Sequence, residues 1–255
     1  MSKLPPEHKF FDLSDYGRPI ARYIANALKN TSITPIDVTL VFIVSGIIAI
    51  ACIVSHQYWA ALFFLVVKSI LDAADGELAR VKKTPSYTGR YLDSVADIIL
   101  NFFFLLSICY ITEGSLLLML MAFLGLQLQG TLYNYYYVIL RNKVNGDKTS
   151  RIFEDKAPIA MEGEQQHHVD NLFRAYYVLY GGFDKIIFWL DQKAPVGQKM
   201  PKALMTAVSS FGLGFQLLIM GVMLCLGLAA YIIPFFIFYT AFILVFIAVR
   251  RACNL

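Results

Sequence analysis

A chain of 255 residues that is 58% hydrophobic and only 16% charged departs far from the roughly 45–50% apolar and about 25% charged composition of soluble domains. The excess arrives in long runs, which excludes a soluble globular enzyme, a disordered chain and a secreted disulfide scaffold, and points to a membrane protein. A net charge of +4 gives no reason to expect nucleic acid, and Cys52, Cys109, Cys225 and Cys253 are scattered without metal-type spacing.

In chain order, the N-terminal stretch MSKLPPEHKFFDLSDYGRP is polar and proline-rich, so no cleavable signal peptide is expected and insertion should rely on the first true span. Tyr16–Asn30 places Ile20, Tyr23, Ile24, Ala27 and Leu28 at helical spacing, which predicts an amphipathic helix lying in the membrane interface. Apolar segments follow at about Val38–Val54, Tyr58–Leu71, Leu92–Tyr110 and Ser115–Leu140, then at Ala203–Leu226 and Ala230–Val249. The second is below the ~17 residues that cross a bilayer, so its helix must continue through the polar residues after Leu71. A polar loop at about 141–202 contains a second amphipathic segment, Val169–Trp189, expected to cap the bundle and to break near Gly181-Gly182. The predicted fold is therefore all-α: residues 1–37 as a cytoplasmic N-terminus with an interfacial helix, and residues 38–255 as six transmembrane helices.

Basic residues set the orientation. Of the 22 Lys and Arg residues, all but Lys68 fall before the first span, between spans two and three, between spans four and five, or after span six. The connections on the opposite side (Ser55-His56-Gln57, Ile111–Gly114 and Gly227–Ala229) carry none. Positive charge stays inside, so both termini and both polar loops should face the cytoplasm.

The chemistry concentrates between Asp72 and Asp97, in DAADGELARVKKTPSYTGRYLDSVAD. Charges at the ends of membrane helices are costly and usually functional. Asp72 and Asp75 share one helix face, while Gly89, Asp93 and Asp97 fall four apart on the next helix. A loop containing Pro85 turns the chain between them, so both carboxylate faces can meet in one cavity. Four carboxylates together repel strongly, and divalent cations relieve that. Oxygen-only ligands suit Mg²⁺ or Mn²⁺, and a pair of ions is the usual clamp for phosphoryl transfer. Gly76 and Gly89 allow close approach of a ligand to the backbone, and Arg80 offers a permanent cation to a phosphate.

This pattern resembles the CDP-alcohol phosphotransferase family, whose signature D-x2-D-G-x2-A-R-x8-G-x3-D-x3-D is met at every position by Asp72, Asp75, Gly76, Ala79, Arg80, Gly89, Asp93 and Asp97. The six-span layout and the N-terminal amphipathic helix are also similar to the family's. The resemblance implies metal binding by Asp72, Asp75, Asp93 and Asp97 with two ions, and CDP binding by Asp75, Gly76, Ala79, Arg80 and Gly89. It further implies that Asp97 is the catalytic base, and that the chain is a homodimer in a bacterial-type inner membrane rather than the endoplasmic reticulum. At the entry to the first span, Thr34-Pro35-Ile36-Asp37-Val38-Thr39 carries Ile36 where family members often have Asn.

The implied activity is transfer of a substituted phosphate from a CDP-linked donor to an alcohol, with release of CMP. The donor is CDP-diacylglycerol, with a small polar alcohol as acceptor, or CDP-choline or CDP-ethanolamine acting on diacylglycerol. Ser94, where the choline and ethanolamine enzymes often have His, favours the lipid donor. A six-span transporter or channel with a cation site is the alternative from another class; the charges here form one asymmetric cluster, not a midplane site built from repeats. Arg141, Lys143 and Arg151 fit positive-inside topology, or an anionic acceptor. Lys68 is expected to pair with Asp72 rather than touch substrate, and Tyr133, Tyr135, Tyr136 and Tyr137 to form an interfacial aromatic belt. Ser107, Gln127 and Gln129 suit hydrogen bonds between helices.

Overall fold

The computed structural model describes residues 4–144, 154, 156–197 and 200–253, and these are helical with no strand among them. A short helix α1 (Arg18–Leu28) precedes four long ones: α2 (Pro35–Val54), α3 (Tyr58–Lys82), α4 (Tyr87–Ile111) and α5 (Leu116–Lys143). Then come α6 (Gln166–Leu190), α7 (Lys202–Val208), α8 (Leu213–Cys225), α9 (Ala229–Tyr239) and α10 (Phe242–Ala252). Among the described residues α2, α4, α5 and the Ala229–Ala252 stretch are long and apolar enough to cross a membrane, and the α7–α8 pair makes a fifth if counted as one bent span.

Local sequence explains where these helices start and stop. Thr34 caps α2, with its hydroxyl accepting from the Asp37 amide while Asp37 Oδ2 accepts from the Thr34 amide at 2.7 Å, and Pro35 fills the first helical position. This reciprocal cap satisfies two donors that the helix leaves unpaired. Helix α3 runs 25 residues, straight through Asp72 and Asp75 to Lys82, as the short apolar segment required. It ends at Lys83, which adopts φ +56°. Ser86 then caps α4 by accepting from Gly89 N at 2.8 Å. Lys82 donates to the carbonyls of Thr31 and Ile33 at 2.7 and 2.6 Å, tying this turn to the α1–α2 connection.

The last two apolar segments are not simple rods. Helices α7 and α8 meet at 54° around Gly212, and α9 and α10 are separated at Thr240-Ala241. Gly214 shows what holds the first bend: a Cβ there would lie 2.1 Å from the Ser14 carbonyl oxygen, so the N-terminal segment is wedged against it. Leu13 N also donates to Ser209 Oγ at 2.9 Å. The expected break in α6 does not occur; the helix passes through Gly181 and Gly182 uninterrupted. Glycine costs a helix only about 1 kcal/mol, and the packing of Ile187 and Phe173 on either side outweighs it.

The main core joins α2, α3, α4, α5, α8 and α9 through Phe42, Leu65, Phe104, Leu126, Met220 and Phe236. Val44, Phe63, Leu117, Leu124 and Phe238 point outward and are exposed, a distribution suited to lipid, not water. Gln129 stitches three helices, donating to Phe236 O and Thr240 Oγ1 while accepting from Gln216 at 3.0 Å. Ser107 differs from expectation: its hydroxyl donates to Phe104 O of its own helix.

The tyrosine run at the end of α5 also turns inward. Tyr136 donates to Asp191 Oδ2 at 2.7 Å, Tyr135 to the Asp191 carbonyl at 3.1 Å, and Tyr133 to Asp12. Asp191 is fully buried and also binds Arg250. Its far end thus anchored on α5 and α10, α6 begins with Val169 and Phe173 packed on Tyr91 of α4. It therefore lies across the end of the bundle that carries the aspartates. In α1 the face that docks on α3 is Ala21 and Ala25, with Ile20 and Tyr23 exposed.

Candidate active site

Helices α3 and α4 are joined by the turn at Lys83–Ser86 and both pack against α2, which brings the aspartates of the two helices to one site. Carboxylate oxygens of Asp72, Asp75 and Asp93 come within 4.8 Å of one another. Asp75 is buried and its Oδ2 accepts from the Thr39 hydroxyl of α2 at 2.7 Å, which fixes its rotamer. Asp93 Oδ1 is buried with no partner. Three carboxylates with converging oxygens, of which Asp93 has a buried oxygen left unsatisfied, form a donor set that fits a hard divalent cation; an ion there would relieve both the repulsion and the orphaned oxygen.

Asp97 is engaged differently. Its Oδ1 binds Lys68 Nζ, which also donates to Asp72 Oδ2 at 2.9 Å. Lys68 is fully enclosed, with its ammonium 4.5 Å from the centre of the Phe42 ring. The pairing with Asp72 was legible from the i, i+4 spacing; the bond to Asp97 needed the fold.

Gly76 lies under the Arg80 guanidinium: a Cβ there would make ordinary contact with it, the nearest atom at 3.6 Å. Ala79 is half-buried on the same helix. Gly89 sits in the first turn of α4, where a Cβ would lie 3.2 Å from Ser86 Oγ and 3.6 Å from Ile36. Arg80 pairs with Glu77 at 3.2 Å, and Glu77 also takes Arg18 at 2.9 Å and Arg22 at 3.7 Å. Glu77 occupies an unspecified position of the motif and its hub role could not be read from spacing, because two of its partners lie some sixty residues upstream.

Three further residues were missed in the sequence. Glu164 reaches from the long loop to the start of α4, accepting from Ser86 Oγ and Thr88 N at 2.7 Å, from Met161 N at 3.0 Å and from Tyr87 N at 3.2 Å. Glu154 binds Arg90 and accepts from the Tyr91 hydroxyl at 2.7 Å. Tyr180 of α6 donates to the Ser94 carbonyl at 2.9 Å, one residue from Asp93. Its ring stacks on Tyr176, which in turn meets Tyr91. The only hint in the sequence was the three- and four-residue spacing of Phe173, Tyr176, Tyr177 and Tyr180.

Burial opposes the charge on Glu164, but its hydrogen bonds from Ser86, Thr88 and Met161 outweigh that and hold the carboxyl below the usual glutamate range. A depressed value stabilises the fold above the unfolded value of about 4.3, and that contribution is lost as pH falls through the folded value. Glu164→Ala should lower stability by about 1–2 kcal/mol near neutral pH, the scale of a lost helix cap. The gap between wild type and variant should close on acidification below about pH 4, measured by thermal unfolding in detergent. A pH-independent gap would mean that the carboxylate charge is not what holds the loop.

Of the candidate acceptor residues, Arg141 is buried with its guanidinium 5.2 Å from the centre of the Tyr137 ring, and Lys143 donates to the Gly197 carbonyl. Arg151 lies outside the described residues.

The CDP-alcohol phosphatidyltransferase family model matches residues 32–161, from the cap of α2 through α5 into the long loop. CDP-diacylglycerol–serine O-phosphatidyltransferases of Mycobacterium bovis and Mycobacterium tuberculosis are 37% identical over 68 residues, 27% of this chain and 24% of theirs. The enzyme of that name from Mycobacterium leprae is 35% identical over 68 residues, or 27% and 23%. The match thus spans about a quarter of these relatives. With every position of the signature filled, its aspartates gathered between α3 and α4, and the family model covering just over half its length, the chain belongs to the CDP-alcohol phosphatidyltransferase family.

Proposed function

We propose that this protein is an integral membrane enzyme of phospholipid biosynthesis that transfers phosphatidyl from CDP-diacylglycerol to the hydroxyl of a small polar alcohol, releasing CMP. The observation that carries this reading is the meeting of Asp72, Asp75 and Asp93 on the helices that also carry Gly76 and Arg80, with the Arg80 guanidinium lying over Gly76. The three carboxylates would hold Mg²⁺ or Mn²⁺, which supplies charge neutralisation for a pyrophosphate and for a departing phosphate. Thr39 keeps Asp75 oriented, and Glu77 holds Arg80 at the edge of the Gly76 face. The acceptor oxygen attacks the phosphorus that bears the diacylglycerol, its proton passes to Asp97, and the bond to the CMP oxygen breaks. A carboxylate in reach of the attacking hydroxyl is the group this step needs.

Six spans account for the helices: α2, α3, α4, α5, the bent α7–α8 pair and α9–α10. Helix α3 would cross although Lys68, Asp72 and Asp75 lower its apolar character, since those charges face α4 and one another. The one-sided placement of Lys and Arg supports termini and aspartates at the cytoplasm, and the exposed Ile20 and Tyr23 support α1 lying in the interface with those side chains toward lipid. Residues 1–37 then form the N-terminal part and 38–255 the six-span unit, which we take to act as a homodimer as the family resemblance implies. Arg141 and Lys143 would serve an anionic acceptor only by giving up Tyr137 and the Gly197 carbonyl, which favours a zwitterionic or neutral alcohol. The names of the mycobacterial relatives put serine first among these.

Product analysis tests the proposal. Purified protein given labelled CDP-diacylglycerol should yield CMP and one phosphatidyl product from a panel of serine, inositol phosphate and glycerol phosphate. Transfer from CDP-ethanolamine to diacylglycerol would overturn the donor, and no CMP from either would return the transporter reading. Gly76→Leu should weaken donor binding at least tenfold, about 1.4 kcal/mol, by adding bulk against the Arg80 guanidinium without changing charge. Wild-type donor affinity in that variant, measured by calorimetry, would move the nucleotide pocket elsewhere.

A further inference from the structure

Helix α6 brings a tyrosine to the site from outside the signature. Tyr180 is half-buried, and its hydroxyl donates to the Ser94 carbonyl of α4 at 2.9 Å. A helix carbonyl points toward the amide four residues on, so this hydroxyl lies level with Asp97 and Ile98, on the turn of α4 that carries the fourth aspartate. Burial, and then the negative charges of Asp97 and Asp93, push the Tyr180 hydroxyl well above the usual tyrosine range. Behind it the Tyr176 ring stacks at 5.1 Å, and Tyr176 meets the Tyr91 ring at 5.2 Å. The row is tied down on both sides. Glu164, two residues before α6, accepts from Ser86 Oγ and Thr88 N at 2.7 Å, and Asp191, just past its end, binds Tyr136 and Arg250. Asp97 keeps only 15% of its side-chain exposure beneath this cover, with one oxygen on Lys68.

We propose that Tyr180 is a specificity-determining residue of the transfer: its ring is the acceptor-side wall beside Asp97, admitting a small alcohol and keeping bulk water from the donor. Water and alcohol compete for the same phosphorus. In hydrolysis the water oxygen bonds to the phosphorus that bears the diacylglycerol, the bond to the CMP oxygen breaks, and the water proton passes to the base. The products are phosphatidic acid and CMP. A carboxylate that activates an alcohol activates water as well, and water far outnumbers any alcohol at the mouth of the site. Selection therefore has to come from shape and from exclusion of solvent. Tyr180 is placed for that task, because its hydroxyl anchors it to the turn that bears Asp97 while the Tyr176 and Tyr91 rings support it from behind.

This inference rests on the phosphatidyl-transfer reading, and its test separates the two. Purified protein receives labelled CDP-diacylglycerol with serine, inositol phosphate or glycerol phosphate, and phosphatidic acid and the phosphatidyl alcohol are measured in the same reaction. Their ratio does not depend on the fraction of enzyme that is folded, so a merely structural role for Tyr180 would leave it unmoved. Tyr180→Ala should raise the ratio of hydrolysis to transfer at least tenfold. Tyr180→Leu keeps an apolar side chain against α4 but shortens the wall, and should raise it at least threefold. Tyr180→Phe keeps the ring and should raise it less than threefold. A wild-type ratio in both Tyr180→Ala and Tyr180→Leu would overturn the wall and leave phosphatidyl transfer standing. A rise in Tyr180→Phe equal to that in Tyr180→Ala would assign the effect to the bond with Ser94 and overturn the ring as the barrier. Should Tyr180→Ala fail to fold, Tyr180→Leu and Tyr180→Phe decide it. No CMP from the wild type with any of the three alcohols would overturn the activity, and the wall with it.

Discussion

Asp72→Asn should abolish CMP release while leaving a folded, membrane-inserted protein. The substitution removes one of three converging carboxylates and one of the two partners of Lys68. Asn preserves the shape and one neutral acceptor oxygen, so packing is little disturbed; the lost quantity is charge. Divalent ions are held by carboxylates chiefly through that charge, and under the proposed function the pyrophosphate of the donor would dock on that ion. Turnover should fall at least ~10³-fold, the upper range for removing one electrostatic contact to a charge that develops in the transition state. Helicity by circular dichroism should remain, because Asp72 is 27% exposed and lies at the site's rim. Excess EDTA applied to the wild type should reproduce the loss, and Mg²⁺ or Mn²⁺ should restore activity. Full turnover in EDTA would remove the metal from the mechanism and leave the aspartates without their proposed function.

The contrast between what could and could not be read from the sequence follows from the range of the interactions involved. Asp72 and Asp75, like Gly89 and Asp93, are related by helical spacing, and a short proline-containing turn reverses the chain between the two helices; this much is local information, whereas their shared packing on α2 is not. The continuation of α3 past Leu71 was equally local, because a span too short for a bilayer must borrow length from its polar flank. Contacts closed by tertiary structure were not visible. Thr39 on Asp75, Arg18 on Glu77, and Glu164 on the first turn of α4 join residues separated by 36, 59 and 76 to 78 positions. Apolar runs also conceal breaks: nothing in the composition of Ala203–Leu226 separates a straight span from the 54° bend, which depends on Ser14 wedging against Gly214. The tyrosines at the end of α5 suggest a belt by composition, yet Asp191 and Asp12, distant in sequence, draw three of their hydroxyls inward.

Asp97→Asn should separate binding from chemistry. The acceptor hydroxyl must lose its proton as it attacks, since a neutral alcohol is a poor nucleophile, and a carboxylate within reach takes that proton in the transition state. Asp97 lies one turn beyond Asp93 on α4 and outside the three-carboxylate group, with one oxygen fixed by Lys68. A base needs this kind of placement: oriented by a neighbour, close to the reacting phosphorus, and not consumed by the cation. Asn cannot accept the proton but fills the same space and can still accept from the Lys68 ammonium, so donor and Mn²⁺ affinities should change less than about tenfold, roughly 1.4 kcal/mol. Single-turnover CMP release should fall by ~10²–10⁴, the usual contribution of a positioned base. The decisive comparison is donor binding by calorimetry against single-turnover rate in one preparation. If binding collapses with rate, Asp97 acts by holding the site together and the base lies elsewhere. If the rate barely moves, water or the metal takes the proton, and the lysine that orients Asp97 has only an electrostatic role.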